Sequence, residues 1–450
     1  MPGQGQKAAP LIAVSTVGPN EYEVVEYCLH EASETRVYQT SLFPLAIDFF
    51  FEPCKLILMV TREASQSDNY HRISEQLGDR LETILIPTGQ NDAELWDIFE
   101  RVSQAVPQGS RVVFDVTHGF RSLPFVIFGV INYLRVTKGV SLERILYGAF
   151  DARQPGPNGL PRAPVFDLTL LVSLNDWLHA VEEFQVRSEG SKLAFLLDQA
   201  HRRGWLSGED RDRAGWARLQ SMARSIKTFS EAVRLLRPLD ALEAAHDILR
   251  ASDQVRDEVT RWAKPFGLVL SDLTDEIRPL AIPNASALDD EHLQRQLALI
   301  EYYLNKDLTV QAVLLGREWL INWVVWRTGQ HSRWLDRNLR EKVVAFRLNE
   351  KAKAAERNEQ GEPCSARVSS SRSSNMGPEA QCQEDILDRL EALREKDEIV
   401  KLWMQLGQLR NDVAHCAMND RPTEPESIRK RMSKIVAGMK KLLVPGAQGA

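Results

Sequence analysis

The chain has 450 residues, more than one hydrophobic core usually organises, so we expect two or three domains. With 43% hydrophobic and 26% charged residues, the composition is that of a globular protein and excludes global disorder. The net charge of −6 argues against a protein that coats nucleic acid over its whole surface, so any RNA contact must be local.

Cysteine usage and hydropathy indicate the expected compartment. The five cysteines are widely spaced and form no C-x-x-C pair, which speaks against a disulfide framework and against a zinc site. The opening MPGQGQKAAP lacks the regions of a signal peptide, and no apolar run approaches the roughly 18 residues that cross a bilayer. We expect a cytoplasmic protein with no metal, no cofactor and no membrane contact.

The first 172 residues alternate short β-branched runs with helical patterns. Apolar runs that hardly alternate with polar residues are typical of strands covered on both faces in a mostly parallel sheet. The pattern predicts an α/β, Rossmann-like N-terminal domain over residues 1–172. Its predicted strands cover residues 11–16, 55–61, 81–87, 111–117, 142–150 and 165–171.

An all-α C-terminal region follows. Residues 173–305 read as amphipathic helices, and we assign them to a helical linker or transmitter without chemistry of its own. Residues 306–450 form the third predicted domain, with helices over 308–328 and 385–419. Residues 349–385 are rich in Ser, Glu, Arg and Gly and predict a disordered loop. Three tryptophans at helical spacing are expected in a core or a dimer interface: Trp319, Trp323 and Trp326.

A candidate ligand cradle lies in the segment 115–134, which passes from a buried strand through a tight turn into a helix with Pro124 near its first turn. In open α/β sheets, ligands bind at the carboxyl ends of the strands, where a helix N-terminus offers free N–H groups to an anion. A strand-to-helix turn with no ligand is an open alternative. The residues expected to line the crevice are Ser15, Thr16, Gly18, Thr61, Arg62, Thr117, His118, Gly119, Phe120 and Arg121.

Three common nucleotide and hydrolase motifs are missing from the sequence. There is no G-x-x-x-x-G-K-[ST] loop for a nucleoside triphosphate and no G-x-G-x-x-G after the first strand. Nor does G-x-S-x-G occur, which an α/β-hydrolase would need for its nucleophile. A simple use of ATP or NAD therefore loses support.

The string DVTHGFRSLP resembles the Asp-x-Thr-His-Gly motif of CRISPR-associated CARF domains, and STVGPNEYEVVEY resembles the beginning of that family. The resemblance covers about the first third of the chain. It implies a dimeric Rossmann-like sensor of cyclic oligoadenylate, with cyclic tetra-adenylate as the expected activator.

A second motif lies in LRNDVAHC, near the C-terminus. On a helix with about 100° per residue, Arg410 and His415 lie roughly 140° apart, whereas Asn411 and His415 share a face. A two-fold pairing of such helices would place two copies of each residue around one cleft. Histidine can move protons near neutral pH and arginine can stabilise a charged phosphate, so RNA cleavage through the ribose 2′-OH needs no metal. A solvated arginine and a capping histidine are the alternative.

The R-N-D-x-x-H string, late in a predicted helix, resembles the R-x(4-6)-H motif of HEPN ribonucleases, whose helical bundles act as dimers. The resemblance implies catalytic Arg410 and His415, with Asn411 in support. A CARF sensor followed by a HEPN nuclease is the arrangement of type III CRISPR ancillary ribonucleases.

This arrangement implies a homodimeric, metal-independent endoribonuclease that cuts single-stranded RNA when cyclic oligoadenylate binds, without stable association with the CRISPR effector complex. The expected products carry 2′,3′-cyclic phosphate and 5′-hydroxyl ends. Two alternatives remain open: a ring nuclease that degrades its own ligand through His118 or Thr117, and a ligand-responsive regulator whose helices bind a partner.

Overall fold

A computed structural model describes residues 9–31, 34–156, 159–207, 218–359, 386, 388–418 and 421–443. The chain divides into two compact units between Asp176 and Trp177. The division lies close to the predicted domain end at residue 172. The further predicted division at residue 305 stays a prediction.

The N-terminal unit is built on a mixed β-sheet. Its described strands are β1 (Leu11–Thr16), β2 (Val25–His30), β3 (Thr35–Thr40), β4 (Lys55–Val60), β5 (Leu81–Leu85), β6 (Arg111–Asp115), β7 (Ser141–Gly148), β8 (Gln154–Pro155) and β9 (Pro161–Asp167). Their order in the sheet is β3-β2-β9-β7-β6-β1-β4-β5, with β8 paired to β9. The pairs from β7 through β6, β1 and β4 to β5 are parallel, and β9 runs antiparallel to β7.

Helices cover this sheet. They are α1 (Phe43–Phe51), α2 (Asp68–Leu77), α3 (Asp92–Ala105), α4 (Leu123–Thr137) and α5 (Thr169–Arg187), the last of which runs past the division between the units.

The central strands are apolar throughout because successive side chains point into two different cores. Within β4, Leu56 and Leu58 join one buried cluster, whereas Ile57 and Met59 join another. Since side chains alternate across a strand, each face of the sheet has its own core. The apolar runs therefore confirm the predicted two-sided burial, and with it the α/β class of this unit.

Three strands were not predicted. β2 and β3 form an antiparallel pair in which Val25 lies opposite Thr40, and β8 is a two-residue strand. β2 carries a signal of period two, because Val25, Tyr27 and Leu29 are buried in one cluster. β3 carries no such signal, because its sequence TRVYQT is more exposed and has little apolar content.

The second unit is entirely helical in its described residues, as predicted. Its helices are α6 (Ser191–Ser207), α7 (Arg218–Arg234), α8 (Pro238–Gln254), α9 (Arg256–Trp262), α10 (Lys264–Gly267), α11 (Leu270–Ile277), α12 (Asp290–Asn305), α13 (Thr309–Arg327), α14 (Phe346–Glu359), α15 (Lys396–Ala414) and α16 (Pro425–Leu443), with a π-helical segment (Asn338–Ala345) before α14.

Helix α13 is the central helix of this unit. Its apolar residues are not confined to one face, as expected of a helix surrounded by others, and it packs against α12, α15 and α16. Trp319 and Trp323 are fully buried, and the Nε1–H of Trp319 donates to the Leu293 carbonyl at 2.8 Å. The prediction of core tryptophans is confirmed for these two, and Trp326 is partly buried.

Three boundary predictions are wrong in part. The strand predicted over residues 165–171 ends at Asp167, and residues 169–171 belong to α5. Residues 349–359, assigned to a disordered loop, belong to α14, where Ala, Lys and Glu favour a helix. Residues 360–385 of that loop lie outside the described residues. The predicted helix 385–419 is interrupted at residues 393–395, and α15 ends at Ala414. No helix in the described part of the chain is long and apolar enough to cross a membrane.

Candidate functional site

The turn after β6 is held by a buried carboxylate. Asp115 is the last residue of β6 and is completely buried. One of its oxygens accepts the backbone N–H of Thr117 at 2.7 Å, and the other accepts the hydroxyl of Ser15. Burial raises the pKa of Asp115 to about 6, although both hydrogen bonds oppose that rise. Asp115 therefore joins the carboxyl ends of β1 and β6.

His118 is a neutral, oriented imidazole. Its Nε2 accepts the backbone N–H of Phe43 at 3.2 Å, so the hydrogen of the neutral ring resides on Nδ1. The Tyr22 ring lies 4.0 Å away between centroids, and the Tyr22 hydroxyl accepts the N–H of Gly18 at 3.1 Å. Burial lowers the pKa of His118 to about 4. Tyr22 thus connects the predicted residues Gly18 and His118.

The remaining residues of the turn are exposed and lead into the N-terminus of α4. The Thr117 hydroxyl accepts the N–H of Gly148 at 2.8 Å, which fixes the turn to β7. Gly119, Phe120 and Arg121 are exposed, and α4 begins shortly afterwards at Leu123. A Cβ added at Gly119 would lie 2.6 Å from Leu123 Cδ2, so this position is too close to α4 for a larger residue. The exposed run is the part of the turn that an anion could reach.

The remaining predicted residues lie at the same edge of the sheet, because β4, β1 and β6 are parallel neighbours. Ser15 and Thr16 are buried there. The Ser15 hydroxyl donates to the Asp115 carboxylate, so Ser15 supports the turn through Asp115. Thr61 accepts the N–H of Ala64 at 3.1 Å, and Arg62 is exposed. Direct ligand contacts by these residues stay predictions.

Sequence reasoning did not select two residues that organise this site. Asp115 had a visible signal, since it is a single carboxylate inside the apolar run VVFDV. Tyr22 lies in the string STVGPNEYEVVEY that resembles the CARF family, but nothing in that string marks it as a partner of His118, which is almost a hundred residues away.

The second candidate site is in the helical unit, at the end of α15. Arg410 is partly buried and lines a pocket of about 620 Å³, which we call the arginine pocket, together with Arg317 from α13. One guanidinium nitrogen of Arg410 donates to the Asn411 side-chain oxygen at 3.4 Å. Asn411 itself is exposed. The catalytic roles of Arg410 and Asn411 stay predictions.

His415 lies one residue beyond the end of α15 and is exposed. The helix stops because the next two residues, Cys416 and Ala417, are left-handed, with φ of 53° and 55°. The N–H of Ala417 returns to the Asp412 carbonyl at 2.8 Å and closes the turn. His415 is thus the C-cap residue rather than part of a continuing helix. Within the described residues 388–418, no contact joins Arg410 to His415 of the same chain.

Neither site offers an evident metal position. Within the described residues, no group of three or more His, Cys, Asp or Glu side chains could hold a metal ion.

Three comparisons found proteins to which this chain is similar. Residues 12–151 match the family model described as "CRISPR system endoribonuclease Csx1, CARF domain". A CRISPR-associated protein of Methanocaldococcus jannaschii is 29% identical over 163 residues, which cover 34% of this chain. The match spans only 23% of that relative's length. A solved structure titled "Enterococcus italicus Csm6 bound to cyclic hexa-2'-fluoro-hexa-dAMP" aligns with 97% of this chain and 94% of its own, at 13% identity and a TM-score of 0.37.

Proposed function

Because residues 12–151 form a CARF domain of CRISPR-associated type, we propose that this chain is a cyclic-oligoadenylate-activated endoribonuclease of type III CRISPR defence. It cuts single-stranded RNA without a metal ion and acts apart from the CRISPR effector complex. The observation that carries the proposal is the family match over the sensor unit, followed in the same chain by Arg410, Asn411 and His415 at the end of α15.

The proposed reaction is an internal transesterification. The ribose 2′-oxygen attacks the adjacent phosphorus, the bond to the 5′-oxygen breaks, and a 2′,3′-cyclic phosphate and a 5′-hydroxyl result. His415 takes the proton of the 2′-hydroxyl and returns a proton to the leaving 5′-oxygen, since an exposed imidazole is open to solvent and to an RNA strand. Arg410 stabilises the charge that develops on the phosphoryl oxygens, and Asn411 helps to orient it through their hydrogen bond.

A homodimer supplies the complete catalytic set. His415 is exposed beyond the end of its helix, whereas Arg410 is partly buried and lines the arginine pocket, so the two side chains have different surroundings. A two-fold pairing of the α15 ends would bring the His415 of one chain toward the other chain's cleft. The proposal therefore requires two chains for each active unit.

The activator binds at the carboxyl edge of the sensor sheet, where Gly119 and Arg121 are exposed beside the start of α4. Backbone N–H groups and a guanidinium suit the phosphates of cyclic oligoadenylate, with cyclic tetra-adenylate as the preferred ring. Binding activates the nuclease only if the ligand favours one dimer arrangement over another, because equal affinity for both would shift no population.

A fluorogenic RNA assay in EDTA tests the proposal, with cyclic tri-, tetra- and hexa-adenylate added separately. The intact protein should cut RNA only when a cyclic ligand is present, and His415→Ala should abolish cleavage. His179→Ala is the matched control, because His179 is also exposed but belongs to α5 rather than to the end of α15. Cutting that requires a divalent metal, or that proceeds equally without ligand, would contradict the proposal.

The same reactions can be resolved on a column to follow the cyclic ligand. We expect the ring to stay intact while RNA is cut. Linear products formed by the His415→Ala protein would instead assign the chemistry to the sensor.

A further inference from the structure

The arginine pocket has a polar floor and apolar walls. The lining residues Leu236, Leu239 and Leu335 are called its walls, and its buried lining residues Gln296 and Asn322 are called its floor. The Asn322 amide donates to the Gln296 side-chain oxygen at 2.8 Å, so the floor is ordered. An ordered polar patch beneath apolar walls suits a flat group with polar edges, such as a nucleobase.

Four arginines and two carboxylates line the pocket, which leaves an excess of positive charge. Two of the arginines are neutralised: Arg237 pairs with Asp240, and Arg340 pairs with Glu318 at 2.6 Å. Arg340 also donates to the Asn322 side chain and to the Trp334 carbonyl, so it connects residues that line the pocket.

The other two arginines, Arg317 and Arg410, form no ion pair with the described residues. Arg317 is partly buried, and its guanidinium lies 4.6 Å from the Trp403 ring centroid. Burial, and then the positive charge of Arg410, lower the pKa of Arg317. Two like charges held close together in a partly buried pocket repel each other, and an anion between them would remove that repulsion.

We infer that the arginine pocket binds one nucleotide of the RNA strand next to the bond that is cut, with a phosphate between Arg317 and Arg410. The base lies against the leucine walls above Asn322. Arg317 is then a substrate-binding residue, and Arg410 holds the strand as well as acting on the reacting phosphate. This inference rests on the proposed ribonuclease function.

Binding of a non-cleavable strand tests the pocket independently of cleavage. A fluorescent 2′-O-methyl oligoribonucleotide lacks the attacking hydroxyl, and its affinity for the intact protein can be measured by anisotropy at several salt concentrations. We expect Arg317→Gln to weaken binding about tenfold and to reduce the salt slope by about 0.7, the value for one lost phosphate contact on a single strand. The affinity of Arg317→Lys should lie between those of the unchanged protein and Arg317→Gln, because lysine keeps the charge but not the planar guanidinium.

The matched control is Arg250→Gln, which removes one positive charge from an exposed arginine paired with Asp247 at 3.1 Å. It should bind the oligonucleotide within twofold of the unchanged protein, and thermal unfolding should show that each variant is folded. Equal losses in both variants, an unchanged affinity in Arg317→Gln, or no saturable binding by the unchanged protein would each overturn the inference. If the protein cuts no RNA but binds the oligonucleotide in a way that depends on Arg317, the proposed ribonuclease function is contradicted. Nucleotide binding in the arginine pocket would still be supported.

Discussion

The imidazole of His118 accepts the backbone N–H of Phe43 at 3.2 Å, although the two residues are 75 positions apart in the chain. Three residues before His118, the Asp115 carboxylate accepts hydrogen bonds from Ser15 and Thr117. Burial acts on both groups but in opposite directions, because it disfavours the charged form of each. The pKa of His118 falls to about 4 and that of Asp115 rises to about 6.

These two groups should oppose each other in the pH dependence of stability. The raised pKa of Asp115 contributes stability that is complete below the unfolded pKa of about 3.9 and is lost as the pH rises through about 6. The lowered pKa of His118 contributes stability that is complete above the unfolded pKa of about 6.5 and is lost as the pH falls through about 4. Between pH 4 and 6 the two slopes therefore cancel.

We expect Asp115→Asn to expose the contribution of His118. Relative to the unchanged protein, the free energy of opening in β1 and β6 should gain a slope of about 1.4 kcal/mol per pH unit between pH 4 and 6. Amide hydrogen exchange in those strands measures this local free energy. His118→Asn should show the opposite slope. Identical slopes in the unchanged protein and Asp115→Asn would mean that Asp115 stays ionised in the folded N-terminal unit.

A methyl group at Gly119 should weaken activation. The added Cβ would meet the buried Leu123 side chain at 2.6 Å, so the turn must shift where the proposed ligand binds. We expect Gly119→Ala to raise the half-maximal concentration of cyclic tetra-adenylate in the RNA assay about tenfold, a change of about 1.4 kcal/mol. Gly129→Ala, in α4, is the control, because the nearest atom to its added Cβ is 4.0 Å away. An unchanged activation curve for Gly119→Ala would place the ligand elsewhere.

Two reciprocal substitutions at the end of the helical unit should both stabilise it. Gly407 lies inside α15, where an added Cβ meets nothing within 4 Å, so Gly407→Ala should raise the free energy of unfolding by about 0.5–1 kcal/mol. Ala417 has φ of 55°, a conformation that costs a side chain about 1 kcal/mol, so Ala417→Gly should also stabilise.

Urea denaturation measures both changes. Gly438→Ala provides the contrast, since its Cβ would lie 2.7 Å from Leu402 Cδ2 and should destabilise the contact between α15 and α16. A loss of stability in Ala417→Gly would show that the helix end beside His415 is not left-handed in solution.

Much of the fold of the N-terminal unit could be predicted because the sequence patterns that indicate it are local. The apolar runs of β1, β4 and β6 and the turn from Thr117 to Arg121 depend on neighbouring residues, and the structure has them close to their predicted positions. The end of α15 was placed too late, because two non-glycine residues in the left-handed region leave no mark in a helical pattern.

The α/β and all-α classes of the two units, the buried faces of the central strands and the two motifs follow from the sequence alone, since hydrophobic periodicity and turn residues act over a few positions. The pairs of distant groups that come together could be seen only in the folded chain: Phe43 with His118, Ser15 with Asp115, and Arg317 with Arg410. Such pairs are set by how sheets and helices pack, and packing depends on the shape of whole elements rather than on any short run of residues.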